Sequence, residues 1–231
     1  MNDTKTNVNI AAVAELIADS SRAAMLDALL GKQALPAGEL AYRAGISPQT
    51  ASSHLAKLVT GGLLVLTTQG RHRYYALASA EVANALEVLA TLAPPAPIRT
   101  LRESIIVEHL RFARTCYDHL AGKLGVELTQ VLVDSHLLTI DDGNYCVTNE
   151  GSCFLTSFGL DLERIQQQRR SFARQCLDWS ERRYHLAGGL GTAILEQLFE
   201  RRWIQQVSSS RAVRVTDTGR EGLQKEFGFR V

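Results

Sequence analysis

The sequence predicts a mainly α-helical α+β fold with small β-hairpins, and three observations predict it. Apolar residues recur at helical spacing through much of the first half. A glycine-containing polar turn separates two β-rich runs at 63–68 and 73–77. An internal repeat fills the second half. The 231 residues, 45% hydrophobic and 21% charged, suit one large or two modest globular domains and exclude disordered, collagen-like and coiled-coil chains.

The chain carries no recognisable export or membrane signal. No apolar run reaches the roughly 18 residues of a membrane-spanning helix, and the start, MNDTKTNVNI, lacks the apolar core of a signal peptide. We therefore expect a cytoplasmic protein with no membrane partner. All four cysteines lie in the second half. Because the chain has no recognisable export signal, free or metal-bound thiols are expected instead of structural disulfides.

The first two elements are predicted to be helices. Apolar residues in 8–18 follow the spacing of an amphipathic helix. Ser20 or Ser21 then provides an N-cap for a second helix that runs to about Gln33.

The third and fourth elements form a predicted helix-turn-helix. Pro36 at a first helical position starts a short helix that ends at Gly45. Ser47 as N-cap and Pro48 at the first helical position start the fourth helix, which reaches Val59. Two short helices joined by a turn of about three residues with a glycine are typical of this motif.

The fourth helix has one apolar and one polar face. At 100° per residue, Ala51, Leu55 and Leu58 form the apolar stripe. Small hydroxyl and amide groups with one cation face outward, which suits a helix in the DNA major groove. The outward face comprises Gln49, Thr50, Ser53 and Lys57, with Ser52 and His54 on its flanks.

A β-hairpin follows, and then a fifth helix. Gly61 and Gly62 end the fourth helix, and the hairpin is built from the runs 63–68 and 73–77. Its tip carries Arg71, His72 and Arg73, which are placed to contact phosphates or the minor groove. The fifth helix is predicted over 79–92.

The charge distribution agrees with a nucleic-acid surface. The net charge is only +1, but no Asp or Glu occurs from Leu40 to Ala80. This window contains four cations, so the chain presents a local basic surface suited to a polyanion. These cations are Arg43, Lys57, Arg71 and Arg73.

The segment GISPQTASSHLAKLVTGGLLV, followed by TTQGRHRYYAL, resembles the winged helix-turn-helix domain of ArsR-type transcriptional repressors. The resemblance covers about residues 8–93 and implies a bacterial-type, DNA-binding and dimerisation domain over 1–93. It implies a homodimer, paired through the first and fifth helices, on double-stranded operator DNA with recognition helices roughly 34 Å apart. The predicted DNA-binding residues are Ser47, Gln49, Thr50, Ser52, Ser53, His54, Lys57, Arg71, His72, Arg73 and Tyr74.

Two departures from the family pattern concern metal sensing. Metal-sensing members carry a cysteine pair in the third helix, whereas PAGELAYRAG has no thiol. Members that bind zinc through the fifth helix use Asp and His, whereas EVANALEVLATL has neither. The effector must therefore be sensed elsewhere.

The second half begins after a proline-rich linker at 94–97. A duplicated effector-sensing domain is predicted over 98–231, with repeats at about 98–158 and 159–231. Each copy is predicted to contain a long helix, a second helix, a hairpin and a short helix, like a shortened winged helix used twice. A ligand cleft is expected between the copies. Matching segments include Phe112, Ala113, Arg114 and Cys116 with Phe172, Ala173, Arg174 and Cys176, and His119, Leu120, Ala121 and Gly122 with His185, Leu186, Ala187 and Gly188.

Three effector classes remain open from the sequence, beside a purely structural role in which the duplicated cysteines are small core residues. A small organic anion or polar metabolite would meet an aromatic and charges of both signs in the cleft. A divalent metal would bind Cys116 and His119, expected on one face of a helix, but Cys176 and His185 would lie on opposite faces unless the helix breaks near Arg183. Thiol oxidation would use the duplicated cysteines, with neighbouring arginines lowering their pKa. The candidate effector residues are Arg114, Cys116, His119, Arg174, Cys176, Trp179, Arg183 and His185.

Cys146 and Cys153 are expected in the core.

Phosphate-cradling, nucleophile-elbow and zinc-protease motifs are missing from the sequence, so no enzymatic activity and no required cofactor are expected. The sequence thus predicts a dimeric repressor released by a small effector bound in the second half, with metal or thiol-redox sensing as the alternative. A DNA-binding domain fused to an enzyme domain is the lesser alternative.

Overall fold

The computed structural model describes residues 8–31, 34–208 and 210–229. The chain divides into two compact units, Met1–Asn84 and Ala85–Val231, each described by itself below. Both units mix helices with short antiparallel strands, so the α+β class is confirmed. Among the described residues, no helix combines the length and apolar character needed to span a bilayer.

The first unit contains a helix-turn-helix followed by a hairpin. β3 is the central strand of an antiparallel sheet in the order β1-β3-β2. Met25, Leu40 and Leu55 are fully buried between the helices. The elements are α1 (Ile10–Ala18), α2 (Ser20–Leu29), β1 (Leu35–Pro36), α3 (Ala37–Ala44), α4 (Pro48–Thr60), β2 (Leu64–Gln69), β3 (His72–Leu77) and α5 (Ala80–Leu92), and α5 continues into the second unit.

Local capping signals explain these boundaries. Ser47 caps α4 by accepting from the Thr50 N–H, as predicted. The prediction that Ser20 or Ser21 caps α2 is wrong, because the Asp19 carboxylate accepts the Arg22 N–H and the helix begins directly after it. Pro36 lies at the N-cap of α3 and not inside it. The predicted end of the second helix, Gln33, lies outside the described residues.

The second unit contains the same run of elements twice. A hairpin, a helix, a second hairpin and another helix follow one another in each half. The first half has α6 (Leu101–Phe112), β4 (Arg114–Cys116), β5 (His119–Ala121), α7 (Gly122–Asp134), β6 (Leu138–Asp141), β7 (Asn144–Val147), α8 (Asn149–Ser157) and α9 (Leu162–Gln166). The second has β8 (Arg174–Leu177), β9 (Tyr184–Ala187), α10 (Gly188–Glu200), β10 (Ile204–Gln206), β11 (Val213–Val215) and α11 (Asp217–Phe227).

Glycines at matching positions allow matching close approaches. A Cβ built on Gly125 would lie 2.5 Å from the Leu120 carbonyl oxygen, and one on Gly191 would lie 2.5 Å from that of Leu186. Both distances are far below van der Waals contact, so only glycine lets each helix pack on the strand before it. α7 and α10 both contribute to the apolar core of this unit, through Leu124, Leu128, Leu132, Leu190, Ile194, Leu195 and Leu198.

The predicted long helix through Cys116 and His119 is wrong. The two residues lie on neighbouring strands, β4 and β5, and pair directly across a two-residue turn. Tyr117 in that turn adopts a left-handed φ of 59°, which ends any helical path. Cys176 pairs with His185 across β8 and β9 in the same way. The longer spacing of the second pair reflects a loop between the strands.

Cys146 and Cys153 are not core residues, contrary to the prediction. Both are exposed. On β7 the neighbouring Tyr145 points inward, so strand alternation turns Cys146 outward. On α8 the buried face is formed by Gly151 and Leu155, and helical spacing places Cys153 on the opposite side.

Candidate nucleic-acid interface and metal centre

The outward face of α4 is open. Gln49, Ser53 and Lys57 are exposed, while Ala51 and Leu55 are completely buried beneath them. This arrangement presents amide, hydroxyl and ammonium groups together, as base-edge and phosphate contacts require.

Other predicted members of this face already have intramolecular partners. The Ser47 and Thr50 hydroxyls lie 2.9 Å apart, and the Ser52 hydroxyl donates to the Pro48 carbonyl oxygen at 2.9 Å. His54 is half-buried, with Nδ1 3.3 Å from the Arg22 guanidinium. His54 therefore contacts α2, whereas Ser53 lines an open groove between α4 and α1.

The hairpin tip supplies the second part of this surface. Gly70, with φ of 60°, forms the two-residue turn together with Arg71. Arg71, His72 and Arg73 are exposed, while Tyr74 is half-buried. The cation Arg43, also counted in the acid-free window, is paired with Glu39 at 2.5 Å on α3. The DNA-contact roles of all these residues stay predictions.

The second unit brings four ligand-type side chains into one buried group, here called the Cys/His cluster. It consists of Cys116, His119, Cys176 and His185, and its donor atoms all lie within 4.8 Å of one another. Each residue is at most 6% exposed. Each hairpin contributes one cysteine and one histidine, so the β4–β5 and β8–β9 hairpins build the cluster together.

Two of the donor–donor distances are close to the edges of a tetrahedral metal site. Zinc bonds of about 2.05 Å to nitrogen and 2.3 Å to sulfur give tetrahedral edges of about 3.3 Å and 3.8 Å, respectively. The two histidine Nε2 atoms are 3.1 Å apart, and the two Sγ atoms are 3.9 Å apart. Two sulfur and two imidazole donors are a typical zinc ligand set.

A carboxylate orients the first histidine. Asp118 Oδ1 lies 3.3 Å from His119 Nδ1, which leaves Nε2 directed at the cluster. Burial would raise the pKa of Asp118, but hydrogen bonds from His119 and Arg170 outweigh it and hold that pKa well below its usual range. Asp118 is therefore ionised and favours a proton on His119 Nδ1.

A second carboxylate occupies the equivalent place beside the other histidine. Asp178 Oδ2 is 3.5 Å from His185 Nδ1, and it also accepts from Arg114 at 2.9 Å and the Gly122 N–H at 2.7 Å. Arg114 and Asp178 are both completely buried. Burial would raise the pKa of Asp178, but Arg114 and the Ser180 hydrogen bond keep it well below its usual range.

The cluster holds unequal protonation states. The hydrogen bond between the two thiols, followed by burial, raises the pKa of Cys116. The same hydrogen bond, aided by the two imidazoles, lowers the pKa of Cys176 to about 2 against the effect of burial. Burial would lower the pKa of His119, but Asp118 and Cys176 raise it, whereas burial lowers the pKa of His185. These shifts favour a thiolate at Cys176, and they favour the protonated form of His119 over that of His185.

The predicted effector residues separate into two groups. Arg114 lies beside the cluster, where it pairs with Asp178, and its guanidinium lies 4.3 Å from the centre of the Trp179 ring. Arg183 instead donates to Gln130 at the surface. The expectation that Arg114 and Arg174 lower the cysteine pKa values is wrong, because hydrogen bonds within the cluster produce the lowering at Cys176.

The predicted cleft between the copies is filled. Leu120 and Gly125 of one copy meet Leu186 and Gly191 of the other around a residual cavity of about 10 Å³. That space holds about one water molecule, so it excludes an organic ligand. A larger open groove of about 630 Å³ lies elsewhere in this unit, and its described lining contains none of the predicted effector residues.

Sequence reasoning missed the two carboxylates. Asp118 and Asp178 occupy matching positions in the repeat, two residues after Cys116 and Cys176. Extending the repeat comparison through FARTCYD and FARQCLD would have identified them.

Comparisons with known proteins identify the first unit. A helix-turn-helix domain family model matches residues 17–67. The chain is 45% identical over 225 residues to an uncharacterised HTH-type transcriptional regulator of Bacillus subtilis, YdfF. The match covers 97% of this chain and all of YdfF. It is also 39% identical over 77 residues to the HTH-type transcriptional regulator CmtR of Mycobacterium tuberculosis. That match covers 33% of this chain and 64% of CmtR.

Solved structures show similarity to part of the chain. HlyU from Vibrio cholerae is 30% identical and covers 38% of this chain and 96% of that chain, with a TM-score of 0.35. The cadmium metal-sensor CmtR from Mycobacterium tuberculosis is 33% identical and covers 40% of this chain and all of that chain, with a TM-score of 0.32. Because the chain matches YdfF over its full length and matches the helix-turn-helix family model, it belongs to the HTH-type transcriptional regulators. The predicted ArsR-type winged helix-turn-helix character is thereby confirmed.

Proposed function

We propose that this protein is a dimeric, operator-binding repressor that is released when a thiophilic divalent metal ion binds the Cys/His cluster. The observation that carries the proposal is the tetrahedral spacing of two buried thiols and two buried imidazoles. A set of four protein ligands with carboxylates behind both histidines has the features of a metal site.

The surroundings of the cluster favour an ion over an organic effector. The cluster is closed and the nearby space between the copies is about 10 Å³, too small for a metabolite. Binding Zn²⁺ or Cd²⁺ would displace the Cys116 proton and the His119 proton, so two positive charges would replace two protons in a buried site. Net charge would be unchanged, which avoids the cost of burying an uncompensated charge. CmtR, similar to this chain over 77 residues, is named a cadmium sensor, which is compatible with a metal effector.

DNA recognition is assigned to α4 and the hairpin tip. Ser53 and Lys57 would enter the major groove while Arg71 contacts the backbone. Exposed apolar side chains on α1, among them Ile10 at 74%, support a dimer contact through that helix. α5 also exposes apolar side chains, among them Leu92 at 75%.

We further propose that the second unit is a tandem duplication over about 98–158 and 159–231. Its support is the recurrence of the hairpin pairs, the cluster ligands and the close approaches at Gly125 and Gly191.

Thiol oxidation is a second candidate function, favoured by the Sγ separation of 3.9 Å. The Cys176 thiolate would attack a peroxide, breaking its O–O bond and forming a sulfenic acid. The Cys116 thiol would then displace water to form a disulfide. Overall, two thiols are oxidised and one hydrogen peroxide is reduced to two waters.

Operator affinity measured with defined effectors tests both candidates. A duplex selected from a random-sequence pool by the reduced, metal-free protein serves as probe, and its Kd is measured with Zn²⁺, Cd²⁺ or hydrogen peroxide. One equivalent of Zn²⁺ or Cd²⁺ should weaken binding by about 5–150-fold. Cys176→Ser should abolish this response, whereas Cys153→Ser, at an exposed cysteine outside the cluster, should retain it.

The outcomes separate the effector classes. Release by peroxide alone would assign the function to thiol oxidation. An unchanged Kd with both metals and peroxide would overturn both candidates and direct the search to organic ligands.

A further inference from the structure

A buried ion pair ties α5 to the end of the second unit. Glu87 on α5 is 3% exposed, and its Oε1 lies 2.5 Å from Nη1 of Arg211. Glu81, the other acid of α5, is exposed. Because a buried charge pair adds little net stability, the importance of this pair lies in the elements that it joins.

The main chain of Arg211 lies directly against the first hairpin of the Cys/His cluster. Its carbonyl oxygen accepts the Thr115 N–H at 2.8 Å. Thr115 immediately precedes Cys116 on β4. Two residues further, the Val213 N–H donates to the Ala113 carbonyl oxygen at 3.0 Å. A shift of β4 is therefore transmitted to Arg211 through main-chain hydrogen bonds.

The second hairpin of the cluster is tied to the same helix. Arg182 lies in the loop between Cys176 and His185, and its guanidinium donates to the Thr91 carbonyl oxygen. Thr91 is in the last turn of α5. Each of the two ligand-bearing hairpins thus has its own link to α5, one at Glu87 and one at Thr91.

α5 is also the segment in which one unit gives way to the other. The division falls between Asn84 and Ala85, inside the continuous helix Ala80–Leu92. Because a helix transmits displacement along its axis, a movement imposed at Glu87 reaches the first unit through the covalent chain.

We infer that Glu87, Arg211 and Arg182 are positioning residues that convert metal binding at the Cys/His cluster into movement of α5. This inference rests on the proposed metal response. The donor atoms lie within 4.8 Å of one another, whereas the edges of a zinc tetrahedron are at most about 3.8 Å. An ion would therefore draw the two hairpins together and shift both anchors of α5 at once. Metal affinity belongs to the cluster, whereas the effect of metal on DNA binding passes through the two links.

The test separates metal binding from the DNA response. Zn²⁺ affinity and stoichiometry, and operator Kd with and without Zn²⁺, are measured for wild type and for the double variant Glu87→Gln/Arg211→Met. Removing both charges avoids leaving one buried and unpaired. The double variant should bind Zn²⁺ with wild-type stoichiometry, while its operator response falls from about 5–150-fold to below about twofold. Glu81→Gln, which removes an exposed acid from the same helix, should respond like wild type.

A second variant covers the case in which the buried substitutions impair folding. Arg182→Met changes an exposed side chain, so it should fold and bind Zn²⁺ normally and still show a reduced operator response. Hydrogen exchange of 85–92 should change with Zn²⁺ in wild type and less so in Arg182→Met. A full response in Arg182→Met and in a folded double variant would overturn the inference alone. A wild-type protein whose operator Kd ignores Zn²⁺ and Cd²⁺ would overturn the proposed function and this inference with it.

Discussion

Replacing Asp178 with asparagine should strongly destabilise the second unit. The Asp178 carboxylate is completely buried and faces the equally buried Arg114 guanidinium at 2.9 Å. It also accepts hydrogen bonds from the Gly122 N–H at 2.7 Å and the Ser180 hydroxyl at 2.7 Å. The Asp178→Asn variant leaves Arg114 charged and unpaired and turns an amide NH₂ toward groups that are themselves donors.

The expected loss follows from breaking a buried pair at one end. Such changes cost about 3–5 kcal/mol, a large share of the 5–15 kcal/mol that stabilises a typical domain. At about 2–4 °C per kcal/mol for a unit of this size, the Tm should fall by about 6–20 °C. Because the folded-state pKa of Asp178 is depressed, its contribution is present above the unfolded-state pKa of about 3.9 and is lost as pH falls through the folded-state value.

Urea unfolding followed by tryptophan fluorescence measures this loss in the right unit. Both tryptophans, Trp179 and Trp203, belong to the second unit, so the signal reports its unfolding. Asp141→Asn, at an exposed strand end, is the matched control and should change stability by less than about 0.5 kcal/mol. A loss below about 1 kcal/mol in Asp178→Asn would refute the view that the carboxylate compensates a buried charge.

Three further predictions concern DNA binding, metal binding and packing. Ser53→Ala and Lys57→Ala should weaken operator binding, while their circular dichroism spectra stay unchanged. Arg71→Ala should reduce the slope of log K against log salt concentration by about one unit. Unchanged binding in all three variants would refute the assigned interface. Zn²⁺ should displace about two protons from the Cys/His cluster, because the pKa values of Cys116 and His119 are both raised, which favours their protonated forms. The apparent Kd for Zn²⁺ should therefore fall as pH rises. Calorimetry in buffers of different ionisation enthalpy counts these protons, and a count near zero contradicts the assigned protonation states. Gly125→Ala should destabilise the second unit, because the added Cβ would collide with the Leu120 carbonyl oxygen. Gly38→Ala, whose Cβ meets open space in α3, should stabilise the first unit by about 0.5–1 kcal/mol. Similar Tm shifts in the two variants would count against the close approach at Gly125.

Local signals predicted most of the elements of the first unit. Ser47, Pro48 and Gly45 act through their nearest neighbours in the chain, so their structural effect is readable from short segments. The cap of α2 was misassigned because Asp19 and Ser20 are both good N-cap residues and only backbone geometry chooses between them.

The candidate metal centre required information that short segments do not contain. Three-residue strands such as 114–116 are too short to show a strand period, so Cys116 and His119 matched a helical spacing by coincidence. Joining the first hairpin to Cys176 and His185 depends on pairing across about sixty residues. The repeat did indicate that the two copies were related, but periodicity alone could not show that their hairpins face each other.

The most direct measurement is metal content with zinc-edge X-ray absorption on protein purified anaerobically and reconstituted with Zn²⁺. The predicted result is one zinc per chain with two sulfur and two imidazole neighbours at about 2.3 Å and 2.05 Å, losing one sulfur in Cys176→Ser. Cys146→Ser, at an exposed cysteine, should leave the spectrum unchanged. Substoichiometric zinc, or a ligand shell of oxygen that is unchanged by Cys176→Ser, would contradict the assignment of the Cys/His cluster as the metal centre.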